Sequence, residues 1–195
     1  MLQPAFDDPV RQSQAVFRLA LRAMAAPGTI VACEGCPTPP MPLLAPAAAL
    51  ALTLCDFETP VWLDGPLAQN PDVASFLRFH TGARLVPSPA QALFGLVADS
   101  ARLPALASFA QGTSDYPDRS TTLLVQVERL EARGWRLEGP GLRRLARLWA
   151  APLPAAFVAE LGANRAQFPR GVDIFLTTYR SIAALPRSLR VAEAA

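Results

Sequence analysis

The chain has 195 residues, including 20 prolines, 11 glycines and three cysteines, with 51% hydrophobic and 17% charged residues and a formal net charge of +2. A chain of this length buries roughly 70% of its unfolded surface without disulfides, so one folded domain over 1–195 is expected and intrinsic disorder is excluded. All 18 basic residues are arginines and the single imidazole is His80, which excludes a lysine Schiff base, a P-loop lysine and a metal site built on two histidines.

The first predicted element is a helix from Pro9 to about Met24, with Asp8 as its N-cap, Pro9 in its first turn and Pro27-Gly28 as its stop. At 100° per residue Val10, Phe17, Leu21 and Met24 share one face, and Arg11, Arg18 and Arg22 line a neighbouring one. Residues 29–42 read as a loop rich in Pro, Gly and Cys, and Pro46 to Leu54 as a buried, alanine-rich helix. Thr59 to Leu63 is a predicted strand closed by the turn Asp64-Gly65-Pro66. A second capped helix starts at Asn70-Pro71 and runs to about His80.

Farther along, Ala92 to Ala98 predicts a strand, Leu103 to Ala110 a short helix, and Gln111 to Arg119 a polar loop. Thr121 to Val127 is a β segment, and Trp135 to Glu138 is another that enters Gly139-Pro140-Gly141. A basic amphipathic stretch follows, with Arg143, Arg144 and Arg147 opposite Leu145 and Leu148. Then come a helix from about Pro154 to Gln167, a strand from Val172 to Thr178 and a short strand near Ile182 to Ala184. Strands alternating with helices predict an α/β fold whose sheet is covered on both faces.

A charge so near zero argues against nonspecific nucleic-acid binding. The longest apolar run, from Met41 to Cys55, is broken by Pro42 and Pro46 and is too short to span a bilayer. The N-terminal residues carry no signal-peptide pattern, and the odd cysteine count fits a reducing compartment, so a cytoplasmic protein with no membrane partner is expected.

Few residues announce chemistry. Cys33-Glu34-Gly35-Cys36 has the spacing of a metal or redox pair, but only Cys55 and His80 are left to complete a zinc site, and no metal is expected. His80 falls on the same helix face as Val73 and Phe76, where a structural imidazole outweighs a catalytic one. A hydrolase triad would need it, and no Gly-x-Ser-x-Gly elbow is present. Gly139 and Gly141, ahead of arginines, offer backbone donors to a phosphate, although a tight structural turn is the simpler account. The stripe Arg11, Arg18, Arg22 suits either a solvated face or an interface.

Ordered blocks along nearly the whole chain carry a family resemblance. They are Phe6 with Pro9-Val10, Gln14, Phe17-Arg18, Ala23-Met24 and Pro27-Gly28; Leu52-Thr53-Leu54 with Asp56; Thr59-Pro60-Val61-Trp62-Leu63; Leu77-Arg78-Phe79-His80-Thr81; Thr122-Leu123; Leu137 with Gly139 to Gly141; Phe168-Pro169 with Gly171-Val172-Asp173; and Leu185-Pro186-Arg187. The set resembles the PhnH family of phosphonate metabolism, the H subunit of the carbon-phosphorus lyase core complex. The resemblance implies a three-layer α/β/α sandwich with a mixed sheet, similar to the large domain of pyridoxal-phosphate-dependent transferases but without that cofactor or any other. It also implies a homodimer that joins the G, I and J subunits, in a complex forming α-D-ribose 1-methylphosphonate 5-triphosphate from phosphonate and ATP on the way to C-P bond cleavage. The resemblance implies no settled catalytic role for the H subunit. The expected role is therefore assembly, with Arg11, Arg18 and Arg22 as interface residues. The alternative is a site for a phosphorylated or phosphonate ligand, with His80 as acid or base, Arg187 as anion clamp, and Gly139 and Gly141 beside it. Cys33 and Cys36 do not belong to the family pattern.

Overall fold

A computed structural model describes residues 5–142 and 145–193. Helix α1 (Pro9–Ala25) starts where the Asp8 carboxylate accepts the Arg11 N–H at 3.1 Å. Strand β1 (Val31–Ala32) follows, then α2 (Ala45–Leu54), β2 (Pro60–Leu63), α3 (Gly65–Ala68) and α4 (Pro71–Thr81). Asn70 caps α4, and Gly82 ends it in the left-handed conformation (φ 71°) that a residue with a Cβ resists. Next come β3 (Arg84–Leu85), β4 (Phe94–Val97), β5 (Thr122–Gln126), β6 (Arg129–Glu138), β7 (Ala146–Ala151), α5 (Phe157–Ala166), β8 (Asp173–Thr177), β9 (Ser181–Leu185) and β10 (Arg190–Ala192).

Seven strands form a mixed sheet in the order β1-β9-β8-β5-β4-β2-β3. The run from β8 to β3 is parallel, and β9 and β1 add antiparallel edges. Alternation along the central strands sorts the core. Leu124 and Phe175 face the helices α1, α2 and α4, while Leu123, Val125, Ile174 and Leu176 face the opposite side. Both faces are buried, as a parallel sheet requires.

The fold is α/β with a large mixed sheet, and its two covering layers differ. One is helical. The other joins α5 to a three-stranded antiparallel sheet, β10-β6-β7, through Leu137, Leu148, Phe157 and Leu161. Residues 135–138 are thus the end of a much longer strand. Of the predicted basic stretch, Arg143 and Arg144 lie outside the described residues, and Arg147 and Leu148 alternate on β7.

Three local expectations are corrected. Asp64-Gly65-Pro66 is the start of α3, because Asp64 accepts the Leu67 N–H and Pro66 sits in the first turn, where a missing N–H costs nothing. In place of the helix expected over 103–110 there is one three-residue 3-10 turn, Leu106–Ser108, cut off from an earlier one at Ser100–Arg102 by Pro104, which cannot continue a helical ladder. Helix α1 buries Val16, Ala20 and Ala23, and leaves Val10, Phe17 and Leu21 exposed. The inner face packs on α2, whose alanine-rich run Ala47 to Ala51 is buried in the same core, and small side chains permit close helix approach.

Candidate functional site

The parallel strands have two unlike ends. At their C-terminal ends the winding reverses between β2 and β4: β2 leads through α3 and α4 to β3 on one side, and β4 leads to β5 on the other. Such a switch point opens a crevice in α/β sheets. A cleft of about 430 Å³ lies here, walled by the loop at Met41–Leu44 and by the residues just after β4 and β5.

Its walls are held from behind. Asp64, only 6% exposed, caps α3 with one oxygen, and with the other accepts the N–H groups of Ala98 (2.7 Å) and Asp99 (2.8 Å). Burial pushes this carboxyl above its ordinary range, against the backbone donors that favour its charged form. Gln126 accepts the Leu44 N–H at 2.6 Å and donates to the Pro42 carbonyl at 2.9 Å, which joins the loop to β5. Asp99, Ser100, Glu128 and Tyr179 complete the lining. Two carboxylates and a phenol make this an acceptor-rich pocket, suited to hydroxyl or amine groups of a ligand. A shallower cleft of about 340 Å³ shares Glu128 and Tyr179 and adds Arg129 and Arg180, so cationic groups lie on its rim.

The residues singled out from sequence lie elsewhere. Arg187 is at the N-terminal ends of the strands, where its backbone N–H and Nε donate to Asp173 (2.7 and 3.0 Å), its Nη2 pairs with the same carboxylate, and its Nη1 reaches the Pro117 carbonyl at 2.7 Å. The side chain is 15% exposed, so its donors serve the chain itself. Gly141 (φ 82°) lies under the last turn of α1, where any Cβ would overlap the Ala25 carbonyl oxygen, and the adjacent Gly139 packs on Leu189. His80, at the end of α4, is in edge contact with Phe76 (4.7 Å between ring centroids) and Phe79 (4.9 Å). Its buried Nε2 has no hydrogen-bond partner among the described residues, and desolvation lowers its pKa. No hydrogen bond, aromatic contact or described cleft brings His80, Arg187 and Gly139 to Gly141 together.

Arg18 and Arg22 are exposed on α1 beside Phe17 and Leu21, and Arg11 is drawn to Asp8 at 3.6 Å. Between α1, the end of α2 and the starts of β4, β5 and β8 runs an apolar groove of about 440 Å³, lined by Phe17, Leu21, Met24, Leu54 and Phe94. Among the described residues no group of three or more His, Cys, Asp or Glu side chains is spaced to hold a metal ion, and no helix is long and apolar enough to cross a membrane.

Residues 4–192 match the family of bacterial phosphonate metabolism proteins known as PhnH. The chain belongs to this family. Within it, the α-D-ribose 1-methylphosphonate 5-triphosphate synthase subunit PhnH of Rhizobium meliloti (strain 1021) is 41% identical over 189 residues, covering 96% of this chain and 94% of that protein. PhnH membership agrees with the ordered sequence blocks and extends over both sheets. Sequence reasoning missed the switch-point cleft. The signal was an acidic residue within two positions of a strand end, Asp64 after β2, Asp99 after β4 and Glu128 after β5, but only the strand order brings Asp99 and Glu128 into one cleft with Asp64 behind them.

Proposed function

We propose that this chain is a cytoplasmic, single-domain subunit of α-D-ribose 1-methylphosphonate 5-triphosphate synthase in the carbon-phosphorus lyase core complex, acting by dimerising and by docking onto the G, I and J subunits. The observation that carries the assembly role is the outward face of α1. A helix that hides alanines and exposes Phe17 and Leu21, flanked by Arg18 and Arg22, has its large apolar residues on the side of a partner. The groove beside it and the exposed Phe57, Phe79 and Phe168 extend this apolar rim along the N-terminal ends of the strands. The fold we assign is that of the large domain of pyridoxal-phosphate-dependent transferases without the cofactor, consistent with a chain that has no lysine for an internal aldimine.

The test is co-purification of the chain with its co-expressed partner subunits. Arg18→Glu with Arg22→Glu is expected to weaken assembly by about tenfold, or ~1.4 kcal/mol, while circular dichroism stays unchanged. Full recovery of the complex by a folded double variant removes α1 from the interface.

A ligand-binding role has one observation in its favour, the cleft at the switch point. Calorimetry of the free chain and of the assembled complex with ATP and with methylphosphonate separates the two roles. Heat of binding that is lost in Glu128→Gln supports a site in this cleft, and silence in both states leaves assembly alone.

A further inference from the structure

One motif is absorbed neither by assembly nor by the cleft. Cys33 and Cys36 lie in the loop after β1, and the loop is held at three points. The Cys33 N–H donates to the Arg180 carbonyl at 2.8 Å, Gln12 Nε2 donates to the Gly35 carbonyl at 2.8 Å, and Gly35 takes the left-handed conformation (φ 63°) that turns the chain back. The turn brings Cys36 Sγ to 3.5 Å from the Cys33 carbonyl oxygen, to which the thiol donates, so the two cysteines sit side by side across one turn of the loop. Cys33 is buried, whereas Cys36 is half-buried and reachable from solvent. The third cysteine, Cys55, is buried elsewhere in the core. Two neighbouring thiols with no third metal ligand among the described residues are left with thiol-disulfide chemistry.

We propose that Cys33 and Cys36 form a reversible dithiol-disulfide couple that reacts with low-molecular-weight disulfides, Cys36 attacking first and Cys33 resolving. The Cys36 thiolate attacks one sulfur of the small disulfide, forming a mixed disulfide and expelling one small thiolate, which takes up the proton that Cys36 gave to water. Cys33 then loses its proton and attacks the Cys36 sulfur. The Cys33–Cys36 bond forms, the mixed disulfide breaks, and the second small thiol leaves. The protein dithiol is oxidised by two electrons, and one small disulfide is reduced to two small thiols.

The order follows from the geometry. Cys36 is the more accessible partner, and the proximity of the two thiols holds its pKa down while that proximity and burial hold the pKa of Cys33 up, which favours attack by Cys36. Burial pushes the Cys55 thiol up to about 12 and keeps it out of the exchange. A bond across two residues closes a very small loop and removes little chain entropy, so its effect is chemical rather than stabilising. The loop leads through residues 37–40 into the Met41–Leu44 wall of the cleft.

The experiment incubates the reduced full chain with oxidised glutathione, alkylates it and digests it with trypsin. Cleavage after Arg22 and Arg78 leaves all three cysteines in the single peptide 23–78. The expected result is loss of two of the three free thiols, a Cys33–Cys36 bond by fragmentation, unchanged behaviour in Cys55→Ser, and return of both thiols with dithiothreitol. Cys33→Ser traps glutathione on Cys36, and Cys36→Ser forms neither adduct nor bond. A persistent glutathione adduct on the unaltered chain, a bond between two chains, or three free thiols at the end overturns the proposal. Circular dichroism of each variant shows that the comparison is made on folded protein.

Discussion

The two ends of the parallel strands solve one electrostatic problem in opposite ways. At the C-terminal ends Asp64 is buried, makes no ion pair among the described residues and is held by three backbone N–H groups, two of which belong to the wall of an open cleft. At the N-terminal ends Asp173 is matched by Arg187, whose guanidinium also fastens the Pro117 loop. The first arrangement leaves neighbouring carboxylates facing solvent and space for a ligand. The second consumes its cation and turns outward an apolar rim. A chain can therefore carry arginine and glycine motifs that look like an anion site at the end where their donors are spent and the open groove is apolar, and keep its polar cleft at the other.

The most severe way to break this contrast is at Gly141. A Cβ there has to displace the Ala25 carbonyl, which belongs to the backbone of α1, and the residue's positive φ adds strain. Gly141→Ala is expected to cost about 4 kcal/mol, the sum of left-handed strain and overpacking, read as a shift of the urea midpoint. A neutral result means that the turn yields and has room for a ligand after all.

Next comes the pair of aspartates. Arg187→Ala leaves the largely buried Asp173 carboxylate without its partner and is expected to cost about 3 kcal/mol, with a large coupling energy to Asp173→Ala in a double-mutant cycle. Asp64→Ala removes a helix cap and the carboxylate acceptor of two further backbone N–H groups, yet the cleft lets water replace the bonds to Ala98 and Asp99. Its expected cost is smaller, about 2 kcal/mol. Hydrogen exchange at residues 98 and 99 should accelerate in Asp64→Ala and stay unchanged in Arg187→Ala. Equal acceleration in both variants would erase the distinction between the two ends.

Much of the fold was legible in local chemistry. The caps at Asp8 and Asn70, the prolines after them and the apolar runs of β5 and β8 carry their own instructions. What escaped depends on partners. Residues 129–138 mix Arg and Glu with isolated apolar positions, and a register irregularity between Glu131 and Trp135 breaks their alternation, so this strand takes its identity from β7 and β10. The inner face of α1 escaped for the same reason: periodicity finds an apolar stripe, but packing on α2 decides which stripe goes inward. The cleft is the extreme case, since its walls come from loops far apart in sequence that only the order β5-β4-β2 brings together. His80, Arg187 and Gly139 to Gly141 have the residue types of a ligand site, and residue type alone does not report that the Arg187 donors are spent on Asp173 and Pro117 or that Gly141 lies against the Ala25 carbonyl.

The smallest expected effect concerns His80, and it tests whether the N-terminal end hides a proton-transfer group. Desolvation lowers its folded pKa below the unfolded value of about 6.5. Between the two values the unfolded chain holds the proton and the folded chain does not, so stability is complete above pH 6.5 and falls as the pH drops through that window. Urea unfolding at pH 7.5 and 5.5 should therefore show a loss in acid that His80→Gln reduces, with little difference between the proteins at pH 7.5. The opposite sign, with His80 strengthening the fold in acid, requires an anionic partner for the imidazolium. None faces Nε2 among the described residues, so that outcome would point to a carboxylate or bound anion and return His80 to the list of ligand-binding groups.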